Sequence, residues 1–335
     1  MAEQTPILQV EHLTKFFPVK KRKLIEPKRY VHAVEDVSFE LYPGETLGIV
    51  GESGSGKSTL ARATLARAIL ALTPVTAGNV FYEGQKVTNF RVSSADKRRL
   101  RGDLQMIFQD PYASLNPKIK IGEAIAEPML NNGQASGHKE AEEKVRHLLE
   151  TVGLRSEVYD RFPHEFSGGQ RQRIGIVRAL AVNPKVLFCD ESVSALDVSV
   201  QAQILNLFNE LKEQFHLTYV FIGHDLAVIR YISDRILVMY LGKVMEIAPY
   251  DQLFGEHTHP YTQALVSAIP EPSTAPRTQR ILLEGDIPSV VDPPKGCRFC
   301  QRCFRSQPQC FEEEPELVRV GEGHFVRCHF AKEEG

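Results

Sequence analysis

The chain has 335 residues, with 40 Lys and Arg against 42 Asp and Glu (net charge -2), 42% hydrophobic and 24% charged residues. This is a globular composition, long enough for one large domain with a small one or for two domains. The near-neutral balance speaks against a general nucleic-acid binder, which carries a basic surplus. No apolar run approaches the ~18–20 residues of a membrane span. The opening MAEQTPILQVEHL lacks the basic and apolar regions of a signal peptide. The expected place is therefore the cytosol, with any membrane association made through a partner.

Taken in order, residues 7–13 alternate apolar and polar and predict a first strand. Phe16 and Phe17 follow. Then comes a basic run, Lys20-Lys21-Arg22-Lys23 and on to Lys28-Arg29, expected as a solvated loop, with a nucleic-acid or lipid patch as the alternative. Residues 31–41 (VHAVEDVSFEL) alternate again, and Tyr42-Pro43-Gly44-Glu45 turns the chain into the apolar strand 47–50. That strand feeds GESGSGKST, which is Gly51, Glu52, Ser53, Gly54, Ser55, Gly56, Lys57, Ser58 and Thr59.

This stretch fits G-x-x-x-x-G-K-S/T in full, between a buried strand and a helix expected over 60–70. Glycines let successive N–H groups turn inward around an anion, and the helix N-terminus adds its positive end. Lys57 then pairs with the β and γ phosphates, and the Ser58 hydroxyl helps hold Mg²⁺. The alternative is a glycine-rich strand-to-helix turn with no ligand.

Residues 79–82 predict another strand, 97–101 are basic and exposed, and 104–108 (LQMIF) form a buried strand ending at Gln109. A loop with Pro111 and Pro117 near its ends follows. From about 121 to 182 the texture is helical, with Val145, Leu148, Leu149 and Val152 on one face. Another helix runs from Gln170 after Ser167-Gly168-Gly169 and stops at Asn183-Pro184. Residues 186–189 predict a buried strand ending in Asp190-Glu191. An amphipathic helix covers 198–215, a strand 218–222 ends at Gly223-His224, and 236–240 with 243–247 predict a hairpin through Leu241-Gly242. Alternating strands and helices imply an α/β core with ligand-bearing turns at the carboxyl ends of its strands. Gly51, Gln109, Asp190, Glu191 and His224 all follow such strands and are expected at one edge of the sheet.

A phosphate loop needs a second acid for its metal, and Asp190 fits as a carboxylate at a strand end. Glu191 is placed to polarise the attacking water. The other reading of the pair is a charged strand end leading into a turn. Gln109 is a candidate contact to Mg²⁺ or water through its amide oxygen, and His224 a candidate partner of the γ-phosphate or of Glu191. Ser167, Gly168, Gly169 and Gln170 open a helix as a second anion-binding turn. A second such turn makes sense if it contacts nucleotide held by another chain.

With these residues in place, the chain resembles the ATP-binding subunits of ABC transporters along essentially its whole length. The Walker A stretch is GESGSGKST, the Q-loop glutamine Gln109, the signature FSGGQ, Walker B VLFCDE, the D-loop Ser194-Ala195-Leu196-Asp197 and the switch histidine His224. The resemblance puts Phe17 where relatives stack an aromatic, usually Tyr, on adenine, and Ser192 where many have Pro. QDPYASLNP, SALDVSVQAQILNL, HPYTQAL and LEGDIPSVVDPPKGCRF are similar to the oligopeptide/dipeptide importer subgroup, and the insert before AVEDVSF to its "F-type" ATPase. Nickel, glutathione and antimicrobial-peptide systems share that subgroup.

The resemblance implies a RecA-like core with an antiparallel β subdomain and a helical subdomain at about 110–182, all within residues 1–250. It adds a small Cys-rich C-terminal domain over 251–335. It implies ATP and Mg²⁺ as ligands and a second, "D-type" ATP-binding subunit. Two membrane permeases, contacted near Tyr112 and Leu115, and an extracytoplasmic peptide-binding protein complete the set; no nucleic acid is a partner. The chain would sit on the cytoplasmic face of the membrane. Of the six cysteines, Cys189 stands alone and the others crowd the tail, which in a reducing cytosol reads as metal or iron–sulfur ligation before disulfides. In some relatives the matching tail holds a 4Fe-4S cluster, on ligands that correspond to Cys297, Cys303, Cys310 and Cys328. Cys300 makes a C-x2-C-x2-C spacing able to exchange for one of them; a zinc site or free or oxidised thiols are the alternatives. Rivals from other classes are a soluble ABC ATPase acting on ribosomes or DNA, and a metal-sensing regulator built on the cysteines.

Overall fold

The structure is a computed structural model and describes residues 5–19, 27–51, 57–88, 94–110, 115–254, 259–269 and 280–331; of 57–61, 94–95 and 254 it describes the backbone alone. In chain order, the elements begin with β1 (Leu8–Pro18), β2 (Tyr30–Leu41), β3 (Thr46–Val50), α1 (Lys57–Ile69), β4 (Ala77–Tyr82), β5 (Gln85–Lys86) and α2 (Ser94–Asp103). They continue with β6 (Leu104–Ile107), α3 (Ile121–Asn131), α4 (His138–Thr151), α5 (Gly168–Leu180), β7 (Val186–Asp190), α6 (Val198–Phe215) and β8 (Thr218–Ile222). The rest are α7 (Leu226–Ile232), β9 (Arg235–Tyr240), β10 (Lys243–Pro249), α8 (Pro260–Ser267), α9 (Gln309–Glu312), β11 (Val318–Gly321) and β12 (His324–Val326). These residues fall into two compact units, one holding 5–42, 46–88 and 223–331, the other 43–45 and 94–222.

The first unit contains an antiparallel sheet in the order β2-β1-β4-β5. Leu8 and Val10 face inward at period two, and Leu13, one residue out of step, is buried as well. A bulge reconciles them. The β1–β2 register shifts between Val10 and Leu13, and His12 takes φ 47°. Its ring Nδ1 lies 2.7 Å from Asp36 Oδ1, whose own φ is 54°. A bulge of this kind re-aims the strand without losing its inward face. In the same unit β3 runs parallel to β9, Leu47 opposite Arg235 and Val50 opposite Val238. All five β3 residues are buried, as suits a parallel strand covered on both faces. Leu241 (φ 46°) and Gly242 (φ 81°) turn β9 into β10 with two consecutive left-handed residues, the backbone of a two-residue hairpin turn. A Cβ on Gly242 would stand 2.8 Å from the Ala33 carbonyl oxygen, so the position has no room for a side chain.

The second unit carries β8-β7-β6, all parallel, with α3 to α6. The basic stretch 97–101 is the body of α2, a helix that the sequence pattern did not reveal. Its Arg98 and Arg99 line a cleft with Lys185 and His216, where the C-terminal ends of α2, α3, α5 and α6 meet. Helix C-termini carry partial negative charge, so cations there offset the four ends.

The tail returns to the first unit and fastens there. β12 pairs with β10 (Glu246 opposite Val326) and β11 with β12. Fully buried Glu246 takes a bond from the His259 N–H (2.9 Å) and faces His324 Nε2 at 2.7 Å. Burial pushes the Glu246 carboxyl up, against the pull of His324. It pushes His259 down to about 3, so that ring stays neutral and accepts the Tyr261 N–H at the start of α8 (3.0 Å). Nearby, Glu35 accepts from Arg298 (2.7 Å) and lies 3.4 Å from Lys243, whose ammonium also meets Glu314. Arg327 reaches Glu314 at 3.3 Å.

Burial alone would raise the Glu35 carboxyl. The His32 hydrogen bond and the Arg298 and Lys243 charges more than offset it and hold the group below its ordinary 4.5. A carboxylate with a lowered folded value stabilises the protein fully above its unfolded value, and that stability is lost as pH falls through the folded one. Glu35→Gln takes the carboxylate from buried Arg298 and leaves Lys243 with Glu314 alone, and is expected to cost about 3 kcal/mol at pH 7. Urea melts of wild type and variant should converge as pH drops from 4.5 toward 3; a gap that stays constant across that range contradicts the assignment.

Candidate functional site

The carboxyl ends of the second unit's strands are level, Ile107 opposite Cys189 and Asp190 opposite Ile222. Residues that follow β6 and β7 therefore leave the sheet at the same edge. Gln109 and Glu191 meet there, the Gln109 amide donating to Glu191 Oε2 at 2.8 Å. That bond occupies the amide nitrogen and leaves the oxygen, the atom expected to act, for another partner.

Glu191 itself extends the ladder by one bond, its N–H donating to the Ile222 carbonyl (2.9 Å). It then turns left-handed at φ 45°, a conformation that costs an L-residue about 1–2 kcal/mol. The Ser194 N–H (3.1 Å) and hydroxyl (2.9 Å), both donating to the Glu191 carbonyl, hold that turn. Asp190, Glu191 and Ser192 are all buried. Two adjacent buried carboxylates thus meet an exposed amide at one strand end, an arrangement suited to holding a cation and aligning a water.

Ser194, Ala195, Leu196 and Asp197 lead from this turn to α6. Asp197 caps that helix by accepting the Val200 N–H at 3.0 Å. The same segment backs the start of α5, because Leu196 Cδ2 lies 3.7 Å from a Cβ placed on Gly168 and Val200 Cγ1 only 2.6 Å from one on Gly169. Gly169 is therefore required by close approach. Ser167 and Gln170 form a reciprocal cap: the Ser167 N–H donates to Gln170 Oε1 (3.0 Å) and the Gln170 N–H to the Ser167 hydroxyl (3.4 Å). Ser167, Gly168 and Gln170 are exposed, so the positive end of α5 opens to solvent. Beside it Val198 is 84% exposed, an apolar side chain with no cover in this chain.

In the first unit, Glu52, Ser53, Gly54, Ser55 and Gly56 lie outside the described residues, and Lys57, Ser58 and Thr59 are described only as the backbone opening α1. Gly51 is enclosed: a Cβ there would stand 2.4 Å from the Met239 carbonyl oxygen. Arg62 Nη1 donates to the Gly51 carbonyl from the next turn of α1. Phe17 is half-buried on β1 opposite Val31, with the Lys15 ammonium 4.8 Å from its ring centroid. His224 is exposed after β8, and Asp225 caps α7 by accepting the Ala227 N–H at 2.9 Å. Sequence reasoning missed both Arg62 and Lys15; the one available signal was a charge breaking an apolar face.

The tail cysteines are tied together by backbone hydrogen bonds. Cys297 donates its N–H to the Cys310 carbonyl (2.8 Å), Cys300 to Cys297 (3.1 Å), and the Arg305 N–H meets Cys303 Sγ at 3.4 Å. Burial pushes the Cys297 thiol up to about 12, and the neighbouring Cys300, Cys310 and Cys328 add to the shift. Yet among the described residues no three His, Cys, Asp or Glu side chains come together as a metal-ligand group. The 4Fe-4S or zinc site that the resemblance implies on Cys297, Cys303, Cys310 and Cys328, with or without Cys300, is thus not assembled among the described residues. Thiolates converge on one centre when a cation offsets their repulsion. Cys189 is buried inside β7, its thiol pushed up by burial and then by Asp190.

Comparison with known proteins follows the same division of the chain. An ABC transporter family model matches residues 34–194, and a model of the oligopeptide/dipeptide transporter C-terminal region matches 245–310. The oligopeptide transport ATP-binding protein AppF of Bacillus subtilis is 47% identical over 330 residues, 98% of each chain. The dipeptide transport ATP-binding protein DppF of Escherichia coli is 46% identical over 325 residues, 97% of this chain and 94% of that one. Among solved structures, the dimeric ATP-binding cassette MJ0796 in a post-hydrolysis state bound to ADP and Pi aligns with a TM-score of 0.61. It is 26% identical and covers 72% of this chain and 98% of its own. With relatives this similar over nearly its whole length, and with the α/β fold of the ABC ATPases, the chain belongs to the ATP-binding proteins of the oligopeptide/dipeptide ABC transporters.

Proposed function

We propose that this chain is the ATP-hydrolysing motor of a peptide importer, taking up oligopeptides or dipeptides through membrane permeases. The observation that carries the reading is the Gln109–Glu191 pair, joined through residues 194–197 to the solvent-facing start of α5. A carboxylate and an anion-binding helix end are thus linked through one short segment. The names of the relatives supply the cargo: oligopeptides for AppF, dipeptides for DppF.

The residues fit a magnesium-bound polyphosphate. Asp190 and the Gln109 amide oxygen are hard oxygen donors of the kind Mg²⁺ takes. Bound Mg²⁺ supplies charge neutralisation on the phosphate oxygens. In this reading Lys57 pairs with the β and γ phosphates, Ser58 and Asp190 hold the metal, and Phe17 stacks on adenine. Glu191 accepts the proton of the water that adds to the γ-phosphorus, and ADP leaves with the electrons of the broken P–O bond. Gln109 keeps the Glu191 carboxylate aimed, and His224 serves the γ-phosphate. Ser167, Gly168, Gly169 and Gln170 serve nucleotide held by a second, D-type ATP-binding subunit. Closure of the two subunits on ATP then drives the permeases, which an extracytoplasmic binding protein supplies with peptide.

The β2-β1-β4-β5 sheet is the antiparallel subdomain in this reading, α3 to α5 lie in the helical one, and residues 251–335 form the importer-type C-terminal domain on a chain peripheral to the membrane. Among the described residues no helix is long and apolar enough to cross a membrane. The same motor could serve nickel, glutathione or antimicrobial peptides; the relatives' names favour peptides. The crowding of Cys297, Cys300, Cys310 and Cys328 within electrostatic reach supports a second reading, that the tail takes up a 4Fe-4S cluster or zinc and rearranges to do so.

Glu191→Gln should bind MgATP as tightly as wild type and hydrolyse it at least ~100-fold more slowly. Turnover at the wild-type rate would remove Glu191 from the mechanism. For the tail, protein purified without oxygen should be brown, with about four irons per chain; colourless protein with neither iron nor zinc sinks the metal reading.

A further inference from the structure

We propose that Arg62 is a positioning residue that fixes the entrance of the phosphate loop; the inference rests on reading residues 51–59 as the cradle for ATP phosphates. α1 turns an apolar face inward through Leu65, Ala66, Ala68 and Ile69, and Arg62 is 1% exposed in the same helix, the bulkiest fully buried side chain among the described residues. A guanidinium taken out of water is costly unless it is hydrogen-bonded, so a buried Arg in an apolar setting calls for a specific use.

Its use here is visible. Nη1 donates to the carbonyl of Gly51, the residue between the last position of β3 and the loop. On its other side Gly51 presses against β9, with only 2.4 Å between a would-be Cβ and the Met239 carbonyl oxygen. The peptide that launches the loop is thus held from both sides, by the neighbouring strand and by a side chain from the helix that closes the loop. One side chain ties the strand end to the helix. With the Gly51 carbonyl committed to Arg62, the peptide plane that enters the loop has one orientation, and fixing that end before the anion arrives lowers the reorganisation cost of binding it. Guanidinium geometry matters, because a rigid planar fork holds a carbonyl in direction as well as distance, and an ammonium does not.

The test compares wild type, Arg62→Met and Arg62→Lys, each assayed well below its own melting temperature. MgADP and AMP serve as probes, the second lacking the β-phosphate. Arg62→Met should weaken MgADP binding about tenfold or more and AMP by less than about twofold, with the KM for ATP raised and kcat at saturation nearly kept. Arg62→Lys should fall between Met and wild type. A purely structural role would lower the melting temperature and leave the MgADP-to-AMP affinity ratio where it was, and that result overturns the proposal. If Arg62→Met does not fold, the Arg62→Lys ratio decides alone: a value equal to wild type overturns it, a reduced one supports it. Wild-type protein unable to bind MgADP would instead strike down the phosphate-loop reading, and the Arg62 role with it.

Discussion

A parallel strand buried on both faces has to end somewhere, and β7 ends by handing one more backbone bond to β8 before Glu191 reverses the chain in a left-handed turn. The second unit's chemistry depends on that turn. It keeps the Glu191 side chain at the sheet edge, within reach of Gln109, and sends residues 194–197 toward the start of α5. Ser194 stabilises it with two hydrogen bonds to one carbonyl, which offset the local strain. Positions held in sparsely populated backbone regions persist where the surroundings over-determine them, and here those surroundings include a strand ladder and a helix cap.

The first unit is organised by charge as much as by apolar packing. Glu35, Lys243, Arg298, Glu314 and Arg327 form a connected ionic group in which each cation meets at least one carboxylate, and Glu246 with His324 forms a second, fully buried pair. Such groups add little net stability over apolar packing, yet removing one member is costly. They therefore act as a lock on which strand pairs with which. The Tyr240, Tyr261 and Phe299 rings pack within the same region and close it from water.

Much of this was legible in the sequence. α6 and β8 occupy the predicted residues, and β3 and β7 extend the predicted runs by one, because strands buried on both faces and a long one-sided helix carry their period in the residues themselves. The hairpin turn announced itself through Leu241-Gly242. Other parts were illegible for physical reasons. α2 is a polar helix without an apolar stripe, so nothing periodic marks it. β12 has three residues and exists because β10 offers an open edge far away in the chain. Ser167 and Gln170 could be placed at a helix start from local chemistry, but Gly169 owes its identity to Val200, thirty-one positions on. Arg62 was not singled out within its helix, since sequence alone gives no sign that its partner is a backbone carbonyl. The cysteine ligand set came from the resemblance, and the order of cysteines along a chain does not by itself fix where their sulfur atoms lie.

The pairing of β12 with β10 reaches beyond local stability. Strand edges are templates: an uncovered row of N–H and C=O groups recruits another strand from wherever one is available. β10 is mostly apolar, with Val244, Met245 and Ile247 all buried, and its edge is occupied by a strand that arrives some eighty residues later. During synthesis, and in any chain cut after the hairpin, that edge lacks its β12 partner. By pairing there the tail covers an apolar edge of the kind that recruits other strands.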